Sequence, residues 1–214
     1  MARIHVLGGT GYAGTNIVRE GVRRGHTVVS FSRNPPADAI EGAEYRTGDV
    51  LEDAFLSSSV SGADVVFETL SPRGALAGRL QEVVDHLIPL AIAERARLGV
   101  LGGVSSVLVE RGGPRLLDVH PPAEEIREEV LTGVALLDAL LAAPEELDWF
   151  YVSPAQEFGA WAPGEALGRY RVSEDVLLRD DAGRSFISGA DLATAVVDEI
   201  EQPAHRRGRL HVAY

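Results

Sequence analysis

Short apolar runs alternate along this chain with longer segments in which apolar residues recur every three or four positions. The short runs favour buried strands, and the longer periodic segments favour amphipathic helices. The predicted strands are Ala2–Leu7, Thr27–Phe31, Ala43–Arg46, Asp64–Thr69, Gly99–Gly102, Asp148–Val152 and the terminal "RLHVAY" at 209–214. Strands that alternate with helices predict an α/β protein with a parallel sheet covered on both faces.

The periodic segments predict five helices. They are Tyr12–Arg24, Leu51–Val60, Arg79–Arg97, Ala123–Ala142 and a last helix that begins after Ser188. Pro89 should kink the third helix, because proline removes a backbone donor and clashes one turn back. Ser188 and Asp191 have the spacing of a capping box at the start of the last helix.

Residues 153–188 break the alternation, because this stretch is rich in glycine, proline and aromatic residues. Such a composition suits a lid or a small substrate lobe rather than another layer of the sheet. No segment is a linker long enough to divide the chain into two domains. We therefore expect one domain over residues 1–214, with 153–188 as its C-terminal substrate lobe.

A glycine cluster joins the first strand to the first helix in "VLGGTGYAG". The spacing of Gly8, Gly11 and Gly14 is typical of a loop in which backbone N–H groups and a helix N-terminus hold a diphosphate. Thr10, Tyr12 and Ala13 should line the same loop. A strand, this loop, a helix and a second strand follow one another within about 30 residues, as in dinucleotide-binding units. The sequence therefore predicts a Rossmann-type doubly wound sheet, although a glycine-rich turn without a ligand would use the same residues.

The second strand ends in Ser32 and Arg33, and the next carboxylate along the chain is Asp38. An acid at this position would bind the ribose 2′-hydroxyl of NAD, whereas a guanidinium can pair with the 2′-phosphate of NADP. We therefore expect NADP(H) to be preferred over NAD(H). The alternative is a surface arginine whose stem covers the edge of the sheet.

Several motifs give the chain a family resemblance: "VLGGTGYAG", "SRNP", "GDV" at 48–50, "LGGVSS" at 101–106, "DWFYVSPA" at 148–155 and the segment 185–214. Their order resembles that of atypical short-chain dehydrogenases of the epimerase/dehydratase superfamily, in particular the NmrA-like group, and more distantly biliverdin reductase B, a flavin reductase. The resemblance covers essentially the whole chain. It implies that Asp49 and Val50 contact the adenine, and that Leu70 and Ser71 lie beside the nicotinamide ribose.

The chemistry of the site is limited by composition, because the chain contains no lysine and all 20 basic residues are arginine. Most short-chain dehydrogenases use a tyrosine and a lysine four residues apart, and that pair cannot exist here. Ser105 and Ser106 stand where the NmrA-like group often carries a serine, and they are the candidate catalytic residues. Either could hydrogen-bond the substrate or the nicotinamide amide, or could instead cap a turn.

Four further residues are candidates for substrate binding. They are Arg73, Gln156, Phe158 and Trp161. Arg73 could hold an anionic acceptor or the pyrophosphate of the cofactor, or could remain a surface residue. The two aromatic rings could stack on a planar ligand, or could pack a small apolar cluster under the lobe.

Two functions remain open at this point. The first is an NADP(H)-dependent oxidoreductase that reduces a small planar or carbonyl-bearing acceptor, such as a flavin or quinone. The second is a non-catalytic NmrA-like sensor of NADP(H). A nucleotide-sugar epimerase is disfavoured because the Tyr–Lys pair is missing.

Charge and composition limit the other partners. A net charge of −12 argues against nucleic acid, and no apolar run is long enough to span a membrane. The six histidines show no metal-ligand spacing, and there is no cysteine. We expect no metal, a cytoplasmic location and a monomer or homodimer.

Overall fold

Eight strands form one sheet in a computed structural model that describes all 214 residues. They are β1 (Arg3–Leu7), β2 (Thr27–Ser32), β3 (Ala43–Thr47), β4 (Val65–Glu68), β5 (Arg97–Leu101), β6 (Trp149–Pro154), β7 (Arg171–Ser173) and β8 (Gly208–Ala213). Their order across the sheet is β3-β2-β1-β4-β5-β6-β8-β7. Only the β7–β8 pair is antiparallel. The strand order reverses between β1 and β4, so the prediction of a doubly wound Rossmann-type sheet is confirmed.

The chain forms six helices, five of which cover the two faces of this sheet. The six are α1 (Tyr12–Arg23), α2 (Asp53–Val60), α3 (Leu80–Glu94), α4 (Leu116–Val119), α5 (Glu124–Ala142) and α6 (Gly189–Glu201). Helix α4 packs in a small separate cluster with Val107 and Leu177. One core lies between the sheet and the helices α1 and α6. The other lies between the sheet and α2, α3 and α5, and we call this side of the sheet the α5 face. None of the helices combines the length and apolarity needed to cross a bilayer.

The boundary between α3 and β5 differs from the prediction. The helix runs through Pro89 but ends at Glu94, because Arg95 takes a left-handed conformation with φ of 57°. The strand begins at Arg97 rather than at Gly99. Sequence periodicity missed this start because Arg97 is charged, yet its side chain is only 7% exposed and pairs with Glu199.

Two short elements were not predicted. Helix α4 lies in the long connection after β5, and β7 consists of only Arg171–Ser173, two of which are exposed. Elements this short carry too few residues to show a period. Strand β7 exists because it pairs with β8, which is a long-range contact.

Only one of the two hydrogen bonds of the predicted capping box at α6 is present. Ser188 Oγ accepts the Asp191 N–H at 3.1 Å, but the Ser188 N–H donates to the hydroxyl of Tyr214 at 3.2 Å. The Asp191 carboxylate instead accepts the backbone N–H groups of Leu167 and Gly168, at 2.6 and 3.1 Å. A capping box normally has glutamate or glutamine at this position, and the shorter aspartate side chain does not reach the Ser188 N–H. The Asp191 carboxylate is instead hydrogen-bonded to N–H groups of the lobe.

These contacts fix part of the lobe, residues 153–188, to the sheet domain. Asp191 holds its middle, and the Glu157 N–H donates to the Ser185 carbonyl at 2.8 Å across its base. Strand β7 then joins it to β8. The lobe is therefore attached at several points, and its role as a lid stays a prediction.

Candidate functional site

The glycine loop packs so tightly against its own neighbours that Gly8 and Gly14 leave no room for a side chain. Gly8 has φ of +82°, and a Cβ there would lie 2.8 Å from Thr69 Oγ1. A Cβ on Gly14 would lie 2.2 Å from the Gly8 carbonyl oxygen. Helix α1 begins just after Gly11, so the N–H groups of its first turn have no partners within the helix. Free amides at a helix N-terminus form a site suited to a diphosphate.

Gly9 was not among the predicted site residues. A Cβ on Gly9 would lie only 2.3 Å from Ser30 Oγ on the neighbouring strand β2. Gly9 therefore lets the loop lie close against the sheet, and the doubled glycine in "LGGTG" was the available signal. Thr10 and Gly11 remain exposed at the rim, where a ligand can reach them.

The side chain of Tyr12 points away from the predicted phosphate loop. Its hydroxyl donates to the Pro163 carbonyl at 3.1 Å and accepts the Gly189 N–H at 3.0 Å. Its ring lies 5.5 Å from the ring of Phe158, centroid to centroid. Tyr12 and Ala13 can therefore contribute backbone amides to the loop, while the Tyr12 side chain holds the lobe.

The residues predicted to contact the adenine and its ribose come together at the ends of β2 and β3. The Gly48 N–H donates to the Ser32 carbonyl at 3.0 Å. Ser32 is buried and its hydroxyl donates to the Asn34 carbonyl at 2.7 Å, whereas Arg33 is exposed. The Asp49 carboxylate accepts the Leu51 N–H at 3.0 Å. Side chains of Ser32 and Asp49 thus shape the turns, and Arg33 extends into solvent.

Val50 and the end of β4 complete this part of the surface. Val50 is buried in the core of the α5 face, so only its backbone can meet a ligand. Leu70 is partly exposed and Ser71 is exposed, just after Thr69, whose hydroxyl donates to the Leu7 carbonyl at 2.8 Å. The loop after β4 is thereby joined to the strand that leads into the glycine loop.

Glu68, the last residue of β4, was missed by the sequence analysis. It is 0% exposed. Its Oε1 accepts the Leu70 N–H at 2.5 Å, and its Oε2 has no hydrogen-bond partner. Burial raises the pKa of Glu68 to about 8. The signal in the sequence was a single acid at the end of the apolar strand "VVFE". Nowhere do three His, Asp or Glu side chains form a group that could hold a metal.

The two candidate serines lie in different surroundings. Ser106 is buried, and the guanidinium of Arg209 on β8 donates to its hydroxyl at 3.1 Å and to its carbonyl at 2.9 Å. Ser105 is partly exposed, and its carbonyl accepts the Leu117 N–H at 2.9 Å. Of the pair, Ser105 has the more accessible hydroxyl, and Ser106 is occupied by a structural contact.

Tyr151 on β6 is placed near this loop but is not available for proton transfer. Its hydroxyl accepts the Gly103 N–H at 3.1 Å and donates to the Gly133 carbonyl of α5 at 2.7 Å. Burial raises its pKa well above the ordinary value for a tyrosine. This tyrosine fixes the backbone after β5 to α5.

The remaining candidates for substrate binding do not form one cluster. Arg73 forms an ion pair with Glu129 of α5 at 2.7 Å. Gln156 is exposed, and its N–H donates to Ser185 Oγ at 3.3 Å. Trp161 is 72% exposed, so it does not pack a buried cluster under the lobe, whereas Phe158 packs against Tyr12.

Comparison with known proteins agrees with this geometry. Residues 8–203 match the family described as NAD(P)H-binding, which is most of the chain. The chain belongs to this NAD(P)H-binding family. Its nicotinamide-binding character and its likeness to atypical short-chain dehydrogenases are thereby confirmed, with the glycine loop at the start of the matched region.

Members with similar sequences or structures extend over the same length. The chain is 30% identical over 216 residues to the uncharacterized protein YwnB of Bacillus subtilis, covering 98% of this chain and 97% of that one. A "putative exported protein" of Burkholderia pseudomallei shares 32% identity and a TM-score of 0.87, with both chains covered completely. A "putative NADH-flavin reductase" of Streptococcus pneumoniae shares 27% identity and a TM-score of 0.88, covering 100% of this chain and 99% of that one.

Proposed function

We propose that this NAD(P)H-binding protein is a reductase that uses NADP(H) to transfer a hydride to a small planar or carbonyl-bearing acceptor, such as a flavin or quinone. The observation that carries the proposal is the glycine loop at the start of α1, where Thr10 and Gly11 are exposed and the N–H groups of the first turn have no partner within the helix. The name of the Streptococcus pneumoniae relative, "putative NADH-flavin reductase", supports the choice of acceptor.

The residues around the loop would bind the two ends of the cofactor. Amides of Tyr12 and Ala13 at the start of α1 would hold the diphosphate, and Arg33 would pair with the 2′-phosphate. Leu70 and Ser71 would support the nicotinamide ribose. The reduced nicotinamide supplies the hydride, and the partly exposed Ser105 would hydrogen-bond the acceptor or the nicotinamide amide.

The choice of acceptor is based on the small number of acid–base groups in the site. There is no lysine, and the hydroxyl of Tyr151 is buried and hydrogen-bonded on both sides. A flavin or quinone can take its proton from solvent, so positioning the two rings is most of what its reduction requires. Trp161, which is 72% exposed on the lobe, could stack on such an acceptor.

The proposal is tested by following NADPH oxidation near 340 nm with a panel of FMN, quinones and aldehydes. Turnover with FMN or a quinone is the expected result, and Trp161→Ala should raise KM for the acceptor without changing the affinity for NADPH. Leu131→Ala is a matched control, since Leu131 is an exposed apolar residue on α5, outside the lobe. Binding of NADPH without turnover on any acceptor would favour the sensor function instead.

Cofactor choice is tested by direct binding. Wild-type protein should bind NADPH more tightly than NADH, and Arg33→Asp should reverse that order by removing a phosphate partner and adding a ribose acceptor. Arg111→Asp gives the same charge change at another exposed arginine and should leave the order unchanged. Equal affinities of the wild type for the two nucleotides would contradict the proposal that Arg33 selects NADPH.

A further inference from the structure

Glu68 occupies the point where the sheet changes direction. It is the last residue of β4, and in the register of the sheet it lies between Leu7 of β1 and Val100 of β5. Leu7 leads directly into Gly8 and the loop that is suited to a diphosphate. Ligands of doubly wound sheets bind beyond the carboxyl ends of the strands, at the point where the strand order reverses, which here is between β1 and β4. Glu68 is therefore a buried carboxyl group directly beneath the cofactor site.

The carboxyl group has one partner and no counter-ion. Oε1 accepts the Leu70 N–H at 2.5 Å, and Oε2 is buried without any hydrogen bond. A buried carboxylate with so little compensation is costly, so this group favours its neutral form. Burial accordingly raises its pKa to about 8, and the Leu70 N–H only partly offsets this.

The surroundings of Glu68 offer no opposite charge in contact with it. Side chains alternate along a strand, so several other titratable groups lie on the α5 face of the sheet. They are Arg3 and His5 of β1, Glu44 and Arg46 of β3, Tyr151 of β6, and Arg209 and His211 of β8. The helices on this face keep their titratable groups at the surface, among them Asp53 of α2, Asp85 and His86 of α3, and Asp138 of α5. None of them forms a salt bridge or hydrogen bond with Glu68.

We propose that Glu68 is a positioning residue of the cofactor site: its carboxyl group fixes the Leu70–Ser71 turn by accepting the Leu70 N–H, and a negative charge on it weakens binding of the reduced dinucleotide. This inference rests on the proposed function, because it takes Leu70 and Ser71 to be the support for the nicotinamide ribose.

Two physical effects link the proton on Glu68 to the cofactor. A bound diphosphate brings negative charge to the loop after β1, which opposes a second negative charge on the adjacent strand. A bound nicotinamide also covers the ends of the strands and excludes water, which disfavours a buried charge further. Thr69 joins the two parts, since its hydroxyl bonds the Leu7 carbonyl at 2.8 Å while Glu68 bonds Leu70. Binding of NADPH should therefore favour protonated Glu68.

The test is a fluorescence titration of the protein with NADPH at pH 7, 8, 8.8 and 9.5. If only the protonated form binds, a pKa of about 8 predicts that Kd rises about 30-fold between pH 7 and pH 9.5. Glu68→Gln is neutral at every pH and keeps an oxygen for the Leu70 N–H, so its Kd should stay constant. Glu146→Gln changes an exposed glutamate just before the start of β6, at the opposite end of the strands from Glu68, and should follow the wild type.

A second measurement needs no variant. Calorimetric titration of the wild type at pH 8, in two buffers of different ionisation enthalpy, should show uptake of about half a proton per NADPH bound. NADPH affinity that is constant from pH 7 to 9.5, no proton uptake at pH 8, or a Glu68→Gln variant that keeps the wild-type pH dependence would each overturn the inference and leave the proposed function intact. Failure to bind NADPH or NADH at any pH would overturn both.

Discussion

Two glutamates are buried in this protein, and their surroundings are opposite. Glu68 at the end of β4 accepts a single N–H and has no cation nearby. Glu199, near the end of α6, accepts from the Arg97 guanidinium at 2.6 Å and from the His205 ring at 2.7 Å. It also accepts the His205 N–H at 3.0 Å. The same side chain is thus isolated at one site and saturated with donors at the other.

The difference shows how hydrogen-bond donors decide the charge of a buried acid. Although burial opposes ionisation of Glu199, hydrogen bonds from His205 and Arg97 hold its pKa below the ordinary value. At Glu68 burial dominates, and the pKa rises to about 8. At neutral pH the first is an anion and the second is mainly a neutral acid.

The two sites also lie at opposite ends of the strands. Glu199 bonds Arg97 at the start of β5, and Arg97 also pairs with Asp148 just before β6, at 3.3 Å. Ligands of doubly wound sheets bind beyond the carboxyl ends of the strands, whereas the Glu199 cluster lies at the amino ends, so we assign it a structural role. Glu68 lies at the end where ligands bind. Its burial without a counter-ion destabilises the fold, and a site with only a structural role would have no reason to keep such a group.

The largest expected effect comes from breaking the saturated site. Glu199→Gln leaves the buried Arg97 without its main counter-ion, so the free energy of unfolding should fall by about 3–5 kcal/mol. Urea denaturation at pH 7 measures this loss. If the variant were as stable as the wild type, the Glu199 cluster would not stabilise the fold and the contrast between the two sites would be lost.

The next effect concerns stability at the isolated site. Folded Glu68 keeps its proton up to about pH 8, whereas its ordinary pKa is 4.5. The folded state therefore binds more protons between these values, and the wild type loses stability as the pH rises through this range. Glu68→Gln removes this dependence, so at pH 9 the variant should be more stable than the wild type by on the order of 4 to 5 kcal/mol, close in size to the loss expected for Glu199→Gln.

That difference should nearly vanish at pH 4.5, where the wild-type carboxyl group is neutral in the folded protein. Thermal denaturation of both proteins from pH 4.5 to 9 gives the two curves. Parallel curves across the whole range would mean that Glu68 is already charged in the folded protein.

A smaller effect is expected from a buried polar group that carries no charge. Tyr151→Phe keeps the ring but removes the acceptor of the Gly103 N–H and the donor to Gly133. The free energy of unfolding should fall by about 1–2 kcal/mol, with no dependence on pH between 5 and 9. A pH-dependent loss would indicate that Tyr151 and Glu68 titrate together.

The smallest effect is expected for Glu201→Gln, which is the matched control for Glu199→Gln. Glu201 lies on the same helix and pairs with Arg24 at 2.6 Å, but its side chain is 33% exposed. Glu201→Gln should cost less than about 1 kcal/mol, because water screens this pair and Arg24 keeps Glu20 and Asp198 as partners. A loss as large as that of Glu199→Gln would show that burial does not separate the two pairs.

The fold could be predicted where a long pattern was present. The alternation of strands and helices predicted the doubly wound sheet. The glycine cluster of Gly8, Gly11 and Gly14 does lie at its first β–α junction, and its binding of a phosphate stays a prediction. Prediction was wrong where a residue's environment depends on distant parts of the chain. Arg97 begins a buried strand because its charge is matched by Glu199, which is 102 residues away.

The candidate site was predicted in the same uneven way. Motifs predicted segments that the structure brings together near the ends of the strands, and their contacts with a cofactor stay predictions. The motifs did not predict where single side chains point. Tyr12 points toward the lobe rather than toward the phosphate loop, and Ser106 is held by Arg209 on β8. Such orientations depend on packing between elements far apart in the sequence, which a local motif does not contain.

The sequence by itself determined the order of the elements, the glycine loop and the absence of a Tyr–Lys pair, because each is a property of local spacing or composition. Only the tertiary structure decided which buried acid is charged. A carboxyl group loses its proton in the interior when folding brings it donors and a cation, as Arg97 and His205 do for Glu199. Glu68 has the same chemistry and no such partners, so its protonation, and with it the proposed control of the cofactor site, arises from the fold.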